Sequence, residues 1–195
     1  MSSVPGAPGL RLDADLTDLP LVIGPTEHRP LDRWLGDAVE LMMQTFEVEP
    51  ADLQVRNYLT RMLERIGRPD DGLLPYRLIR WLDFRDLPLV ASFGMVDRAG
   101  AEELEAYLEF ADSAPVEKPI VEVVDGRSQN VVRRALGYGQ HAEALGVEVR
   151  YLIDTGHPGA VVLLEAGTRE PGALVAATED LDAFADRVTV EGAAG

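Results

Sequence analysis

The sequence predicts an α+β fold (mixed α/β) in which an N-terminal helical layer packs on a mixed sheet. Two segments before residue 70 repeat apolar residues at helical spacing. After residue 88, β-branched runs too short for helices alternate with turn formers, which is typical of strands. The predicted order is therefore helices, then β-α-β-α, then a β-meander and a final helix, an arrangement that lets helices cover a sheet.

The composition is that of a globular chain. Hydrophobic residues make up 46% and charged residues 27% of its 195 residues, which is enough to bury a full core. We expect a flexible tail at residues 1–9, a mainly helical region at 10–86 and an α/β sheet region at 87–191. The last two regions are expected to form one compact unit.

The helical region begins with an extended arm or edge strand, expected at residues 12–23. Apolar spacing then predicts a helix over residues 30–46. A second helix is opened by Pro50 and ended by Gly67. A shorter helix is expected at residues 76–84, so that three helices together form the predicted layer.

The second half is predicted to be organised around residues 119–167. Residues 120–124 are expected to form a buried strand, followed by a helix that starts near Asn130 and ends at Gly146. Val121 on the strand and Val132 on the helix are expected to face each other in one core. Around this unit we expect a strand at 89–96, a helix at 99–112, a hairpin of strands at 147–153 and 160–164, a short strand at 173–177, a helix capped by Thr178 and an edge strand at 188–190.

The charge balance excludes several classes of partner. The formal net charge is −16 and the pI is near 4.5, which repels phosphate backbones and anionic membranes, so no nucleic acid and no membrane partner is expected. The sequence contains no cysteine, which excludes disulfides, thiolate nucleophiles and Cys-bound zinc. We expect a cytoplasmic protein with no cofactor and no metal site.

Asp154-Thr155-Gly156 is the one string typical of a catalytic site. It resembles the active-site loop of the retroviral-type aspartic proteases, in which two such Asp residues share a proton across a dimer. The small residue usual after the Gly is His157 in this chain. Asp, Thr and Gly are also common turn formers between strands, and we favour the hairpin turn.

The pair Asp154 and Glu165 resembles the paired carboxylates of the restriction-endonuclease-like nucleases. Gly167 stands where their lysine is expected. With His157, the two carboxylates have atoms that can ligate a metal, but their spacing is specific to no metal. We therefore predict neither a catalytic nor a metal-binding role for them.

The predicted central helix carries a candidate binding site. Arg127 and Asn130 at its start, with Arg134 one turn later, can hold an anionic group on guanidinium and backbone N–H groups. The plain alternative is a capped helix whose arginines pair with the abundant carboxylates. Tyr138 and His141 lie among glycines, which favour either close packing or a break that exposes both rings in a cleft.

We predict a non-catalytic cytoplasmic protein-binding factor: an adaptor, an accessory subunit or a chaperone-like protein. The expected partner is another protein, either a heterologous chain or a second copy in a homodimer. Candidate partner-binding residues are Trp34, Met43, Phe46 and Trp81, because aromatic side chains and Met are favoured at interfaces.

The alternative is a small hydrolase or a ligand-binding enzyme. It would use Asp154 and His157, or the predicted helix at residues 127–141. A cleft that gathers those side chains would favour this alternative, whereas an exposed apolar surface would favour the protein-binding factor.

Overall fold

The structure is a computed structural model, and it describes residues 11–13, 16, 19–26, 29–68, 74–82, 86–98, 101–112, 115–125, 130–141 and 144–191. These residues form four helices: α1 (Leu31–Thr45), α2 (Leu53–Ile66), α3 (Ala101–Leu108) and α4 (Pro171–Arg187). They also form nine strands: β1 (Arg11–Asp13), β2 (Leu21–Ile23), β3 (Tyr76–Arg80), β4 (Leu89–Asp97), β5 (Ile120–Val124), β6 (Val131–His141), β7 (Ala144–Asp154), β8 (Ala160–Thr168) and β9 (Thr189–Glu191).

Seven strands form one antiparallel sheet in the order β2-β3-β4-β8-β7-β6-β5, and β1 pairs with β9 in a separate two-stranded sheet. Helix α4 packs on one face of the large sheet, where Phe184 meets Phe93 at a ring separation of 5.1 Å. The other face is covered by α1 and α2 over β3, and by α3 over β6, β7 and β8. The sheet therefore lies between two helical layers, with an apolar core on each side.

The α+β class is confirmed, but the prediction of a mixed sheet is wrong. All pairings between its described strands are antiparallel. The helix expected between Asn130 and Gly146 is instead β6 and the start of β7. Its apolar residues at 131, 132, 135 and 136 fit a helical stripe, but they form a strand in which Val132 and Leu136 lie on the α4 face and Ala135 on the α3 face. Because residues 131–141 form a strand, β5 is joined to β7 through two antiparallel pairings rather than by a crossover helix.

Two further elements differ from the prediction. The helix expected at 76–84 is strand β3, where Leu78 and Ile79 are both buried because the strand is covered on both faces. Phe84 lies outside the described residues. The strand expected at 173–177 belongs to α4, because Pro171 starts a helix rather than closing a turn.

The strand predicted at 120–124 is present as β5, but it is not buried. Val121 is 39% exposed, whereas Val132 is 1% exposed and lies on the neighbouring strand β6. The two residues do not face each other as predicted, because Val132 pairs in register with Val124. Strand β5 is exposed because it is the last strand of the sheet.

The helices predicted at 30–46 and 50–66 are confirmed as α1 and α2. Asp52 caps α2 by accepting hydrogen bonds from the backbone N–H groups of Gln54 and Val55, both at 3.0 Å. Gly67 ends the helix where a Cβ would lie 2.7 Å from the Trp34 ring. The hairpin of β7 and β8 is also confirmed. The boundary at residues 86 and 87 stays a prediction, and residues 1–9 lie outside the described residues.

Candidate functional site

Strand β5 forms one edge of the large sheet and is exposed along most of its length. Ile120 is 63% exposed and Val123 is 65% exposed. The inner side of β5 pairs with β6, and no described residue pairs with its outer side. Backbone N–H and C=O groups on such an edge can hydrogen-bond an added strand. Apolar side chains beside that edge can contact the same strand.

The opposite edge of the sheet is less available. Strand β2 spans three residues, and α1 packs beside it. The indole Nε1 of Trp34 donates a hydrogen bond of 2.8 Å to the backbone carbonyl of Ile23. Short strands and covered backbone groups are common ways of blocking an edge. Strand β2 therefore offers another chain fewer unpaired backbone groups than β5 does.

A groove of about 570 Å³ runs between β5 and α3. Its lining includes Glu105 and Glu109 from the α3 segment, Pro119, Val121 and Arg133. Arg133 donates hydrogen bonds to both carboxylate oxygens of Glu105, one of them at 2.8 Å. These bonds lower the pKa of Glu105, so the carboxylate stays ionised and holds α3 against the sheet.

On the other face, β5 is fastened to its neighbours through Arg134. Its Nε donates to Glu122 Oε1 at 3.1 Å, and its Nη1 donates to Asp182 Oδ2 at 2.5 Å. The hydroxyl of Tyr151 donates to Asp182 Oδ1 at 2.8 Å, and burial, followed by the Asp182 charge, raises the pKa of Tyr151. The Arg134 charge is therefore satisfied internally, and β5 is held at a fixed position with its outer side exposed.

A second concave surface lies on the α3 face of β4, β7 and β8. It has a volume of about 440 Å³, and its lining includes Ser92, Asp112, Glu148, Arg150, Glu165 and Arg169. Arg150 is 5% exposed, and its guanidinium lies 5.1 Å from the Tyr107 ring centre and 4.3 Å from that of Phe110. Its Nη1 donates to the carbonyl of Tyr107 at 3.1 Å and to Asp112 Oδ1 at 2.6 Å. Stacking and hydrogen bonds thus fix this buried cation in place.

The described side chains of the predicted anion site, those of Asn130, Arg134 and Tyr138, are not gathered in one site. Arg127 lies outside the described residues, and only the backbone of His141 is described. The Asn130 side-chain amide donates to three carbonyls at the end of α4, with distances of 2.9 to 3.2 Å. Arg134 is engaged in the network above, and Tyr138 is 37% exposed. Asn130 and Arg134 thus hold α4 to the sheet.

The predicted partner-binding residues lie between α1, α2 and β3. Trp34, Met43 and Trp81 are buried, with at most 3% exposure. Phe46 is partly buried and meets Trp81 edge to face at a ring separation of 5.7 Å. These side chains join the two helices to the sheet. The three buried ones have almost no exposed surface with which to contact a partner.

Asp154 holds the turn between β7 and β8. Arg98 binds its carboxylate through two hydrogen bonds, of 2.8 and 2.6 Å, and the N–H of Gly156 donates to Oδ1 at 2.9 Å. The bonds from Arg98 lower the pKa of Asp154. Glu165 pairs in register with Arg150, four residues before Asp154 on β7, so the two carboxylates are separated by about 13 Å along the strands.

Sequence reasoning missed two features, the exposed edge strand β5 and the cavity that contains Arg150. An apolar run such as 120–124 does not show whether its strand is central or at an edge, because that depends on pairing partners elsewhere in the chain. Arg150 gives a usable signal, since it is a charged residue between Val149 and Tyr151 at the centre of a long apolar strand. A charge at such a position predicts a covered polar site.

Comparisons with known proteins show a likeness of fold. No family model matches the chain, and no curated protein matches it. A solved structure, the crystal structure of LpqN involved in cell envelope biogenesis of Mycobacterium tuberculosis, is similar with a TM-score of 0.51 and 11% sequence identity. The match covers 96% of this chain and 87% of LpqN. In addition, no helix among the described residues has the length and apolar character needed to cross a membrane.

Proposed function

We propose that the chain is a non-catalytic protein-binding factor, an adaptor or accessory subunit, that binds an extended segment of a partner along the outer edge of β5. The observation that carries the proposal is the exposed edge of β5, with apolar side chains on both sides of the strand. Addition of a strand to a sheet edge gives affinity through backbone hydrogen bonds and specificity through alternate side chains.

The geometry defines what the bound segment would look like. Val121 and Val123 point to the α3 face of β5, while Ile120 and Glu122 point to the opposite face. A segment with apolar residues at alternate positions would cover the two valines. The net charge of −16 favours a partner with basic flanking residues, since it attracts them at long range.

A second copy of this chain fits the same edge less well. Two chains that each carry −16 repel each other. An antiparallel pairing centred on β5 would also place the two Glu122 side chains directly opposite one another, which destabilises paired strands. The proposal therefore favours a heterologous partner over a homodimer.

The test uses Val123→Lys on β5 and a matched control, Val175→Lys, on the exposed face of α4. The two valines are similarly exposed, at 65% and 73%. A partner captured by the wild-type chain from its native host is identified, and the segment that binds β5 is made as a peptide for affinity measurements. We expect Val123→Lys to weaken peptide binding roughly tenfold or more and Val175→Lys to leave it unchanged.

Hydrogen exchange gives an independent measurement, because strand addition should protect the backbone amides of β5 when the peptide is bound. The proposal fails if both lysine variants bind the peptide equally, or if β5 gains no protection. A dimer of the wild-type chain that Val123→Lys dissociates would identify a second copy as the occupant instead.

The compartment belongs to the same proposal. The sequence favours the cytoplasm, and LpqN is described as involved in cell envelope biogenesis, so the envelope is the alternative location. Fractionation of the native host, followed by detection of the chain in the cytoplasmic or the envelope fraction, decides between them.

A further inference from the structure

The cavity on the α3 face contains an oppositely charged pair that does not form an ion pair. Arg150 and Glu165 are directly opposite each other on β7 and β8, a position at which Cα atoms lie about 4.5 to 5.5 Å apart. The Arg150 guanidinium is instead directed to α3, where Asp112 and the carbonyl of Tyr107 accept from Nη1. Both side chains line the cavity.

Both side chains retain hydrogen-bonding capacity toward the cavity. The carboxylate of Glu165 has no hydrogen-bond partner among the described residues, and burial raises its pKa. Arg150 donates its described hydrogen bonds through Nη1, its Nε is buried without a partner, and its Nη2 lies 3.8 Å from Glu148 Oε2, beyond hydrogen-bond distance. Glu165 is partly exposed to the cavity, so its carboxylate and the Nη2 of Arg150 can hydrogen-bond a molecule bound there.

The charges around the cavity restrict the chemistry of that molecule. Its lining carries three carboxylates, Asp112, Glu148 and Glu165, and two guanidinium groups, Arg150 and Arg169. An anion alone would meet the three carboxylates, and a cation alone would meet the two guanidinium groups. A molecule with both charges can place each one against its opposite, which is the arrangement that buried charges require.

We propose that this cavity binds a small zwitterion of the amino-acid class, which carries an ammonium and a carboxylate a few ångströms apart. The ammonium donates to Glu165, and the carboxylate accepts from Nη2 of Arg150 and from Arg169 at the rim. A volume of about 440 Å³ is within the range of small-molecule sites. The caged position of Arg150 fixes the donor before the ligand arrives, which reduces the entropy lost on binding.

The experiment is an NMR titration of the full chain with glycine, and with methylammonium chloride and sodium acetate at equal ionic strength as the two halves of the zwitterion. We expect glycine to shift the backbone amides of residues 165–169 and to saturate. Each half should bind at least roughly tenfold more weakly, since each leaves one charge of the site unpaired.

Two variants and a matched control complete the test. Glu165→Gln and Arg169→Ala should each weaken glycine binding roughly tenfold or more. Glu170→Gln makes the same change as Glu165→Gln, but at an exposed position that does not line the cavity. This control should bind glycine as the parent does. Because Arg169 is exposed, its variant remains informative even if Glu165→Gln perturbs the fold.

Acetate that binds as tightly as glycine would make the cavity an anion site, and methylammonium that does so would make it a cation site. Either result overturns the proposal. It is also overturned if no probe shifts residues 165–169, or if Glu165→Gln and Arg169→Ala bind glycine as the parent does. The cavity is separate from β5, so these outcomes leave the proposed partner site untouched.

Discussion

Aspartate substitutions at two valines of neighbouring strands, Val132→Asp and Val121→Asp, should differ strongly in their effect on stability. Val132 is 1% exposed in the core beneath α4, and its register partners are Val124 and Ile153. An aspartate there loses the burial of a valine and leaves an unpaired charge in an apolar core. We expect the free energy of unfolding to fall by about 4 kcal/mol or more.

Val121 lies on the outer strand and is 39% exposed. An aspartate there can reach solvent, so the cost is mainly the lost part of a valine burial, about 1 kcal/mol. The neighbouring Glu105 and Glu109 of the groove add a small like-charge repulsion. The buried strand predicted from the sequence at 120–124 would instead imply a loss of several kcal/mol, roughly that of any unpaired charge in a core.

Urea denaturation followed by tryptophan fluorescence measures both variants, and Val175→Asp on the exposed face of α4 provides the baseline. Val175 is 73% exposed, and such surface changes usually alter stability by about 0.5 kcal/mol or less. We expect Val175→Asp to be the most stable of the three variants, Val121→Asp to be intermediate and Val132→Asp to be the least stable. Equal losses at Val121 and Val132 would refute the edge position of β5, and with it the proposed partner site.

Three further changes test particular contacts. Gly137→Ala should destabilise the fold by about 1 to 3 kcal/mol in urea denaturation, because its Cβ would lie 3.0 to 3.2 Å from the Phe110 ring; no loss would contradict this packing. Asp154→Asn should lower stability by about 1 kcal/mol or less at pH 7. Because Arg98 lowers the folded-state pKa of Asp154, the parent's advantage exists above the unfolded-state pKa and should vanish as the pH falls through the lowered value. Glu165→Gln should behave in the opposite way: burial raises the folded-state pKa above its ordinary 4.5, so ionisation opposes folding and the variant should be more stable at pH 7 but not below about pH 4.

Elements with local start and stop signals were predictable from the sequence. Helix α2 ends at Gly67 as predicted, whereas it begins at Leu53 after a capping Asp52 rather than at Pro50. Strand β6 has no such signals, and its apolar residues at 131, 132, 135 and 136 have helical spacing. The glycines at 137 and 139 disfavour a helix interior, and in the strand the absence of a Cβ at Gly137 leaves room for the Phe110 ring. Assigning residues 131–141 to a strand instead of a helix would have changed the predicted topology of the whole second half.

The candidate sites depend on contacts that no local pattern contains. Glu165 and Arg150 lie opposite each other only because β7 and β8 pair in one particular register, and a shift of one residue would move a side chain to the other face. The guanidinium of Arg150 instead stacks with Tyr107 of α3 and with Phe110, which follows that helix. The sequence marked Asp154 as notable for its turn chemistry, and the structure supports that role through Arg98 and Gly156.

The two proposed sites should act independently, although α3 contacts both. Glu105 ties α3 to β6 through Arg133, while Tyr107 and Phe110 stack on Arg150. Val123 and Glu165 lie three strands apart, about 14 Å at the usual spacing, and effects of substitutions at such distances usually add. Glu165→Gln should therefore leave peptide binding at β5 unchanged, and Val123→Lys should leave the glycine titration unchanged. A change in either cross-measurement would show that α3 transmits binding between the sites.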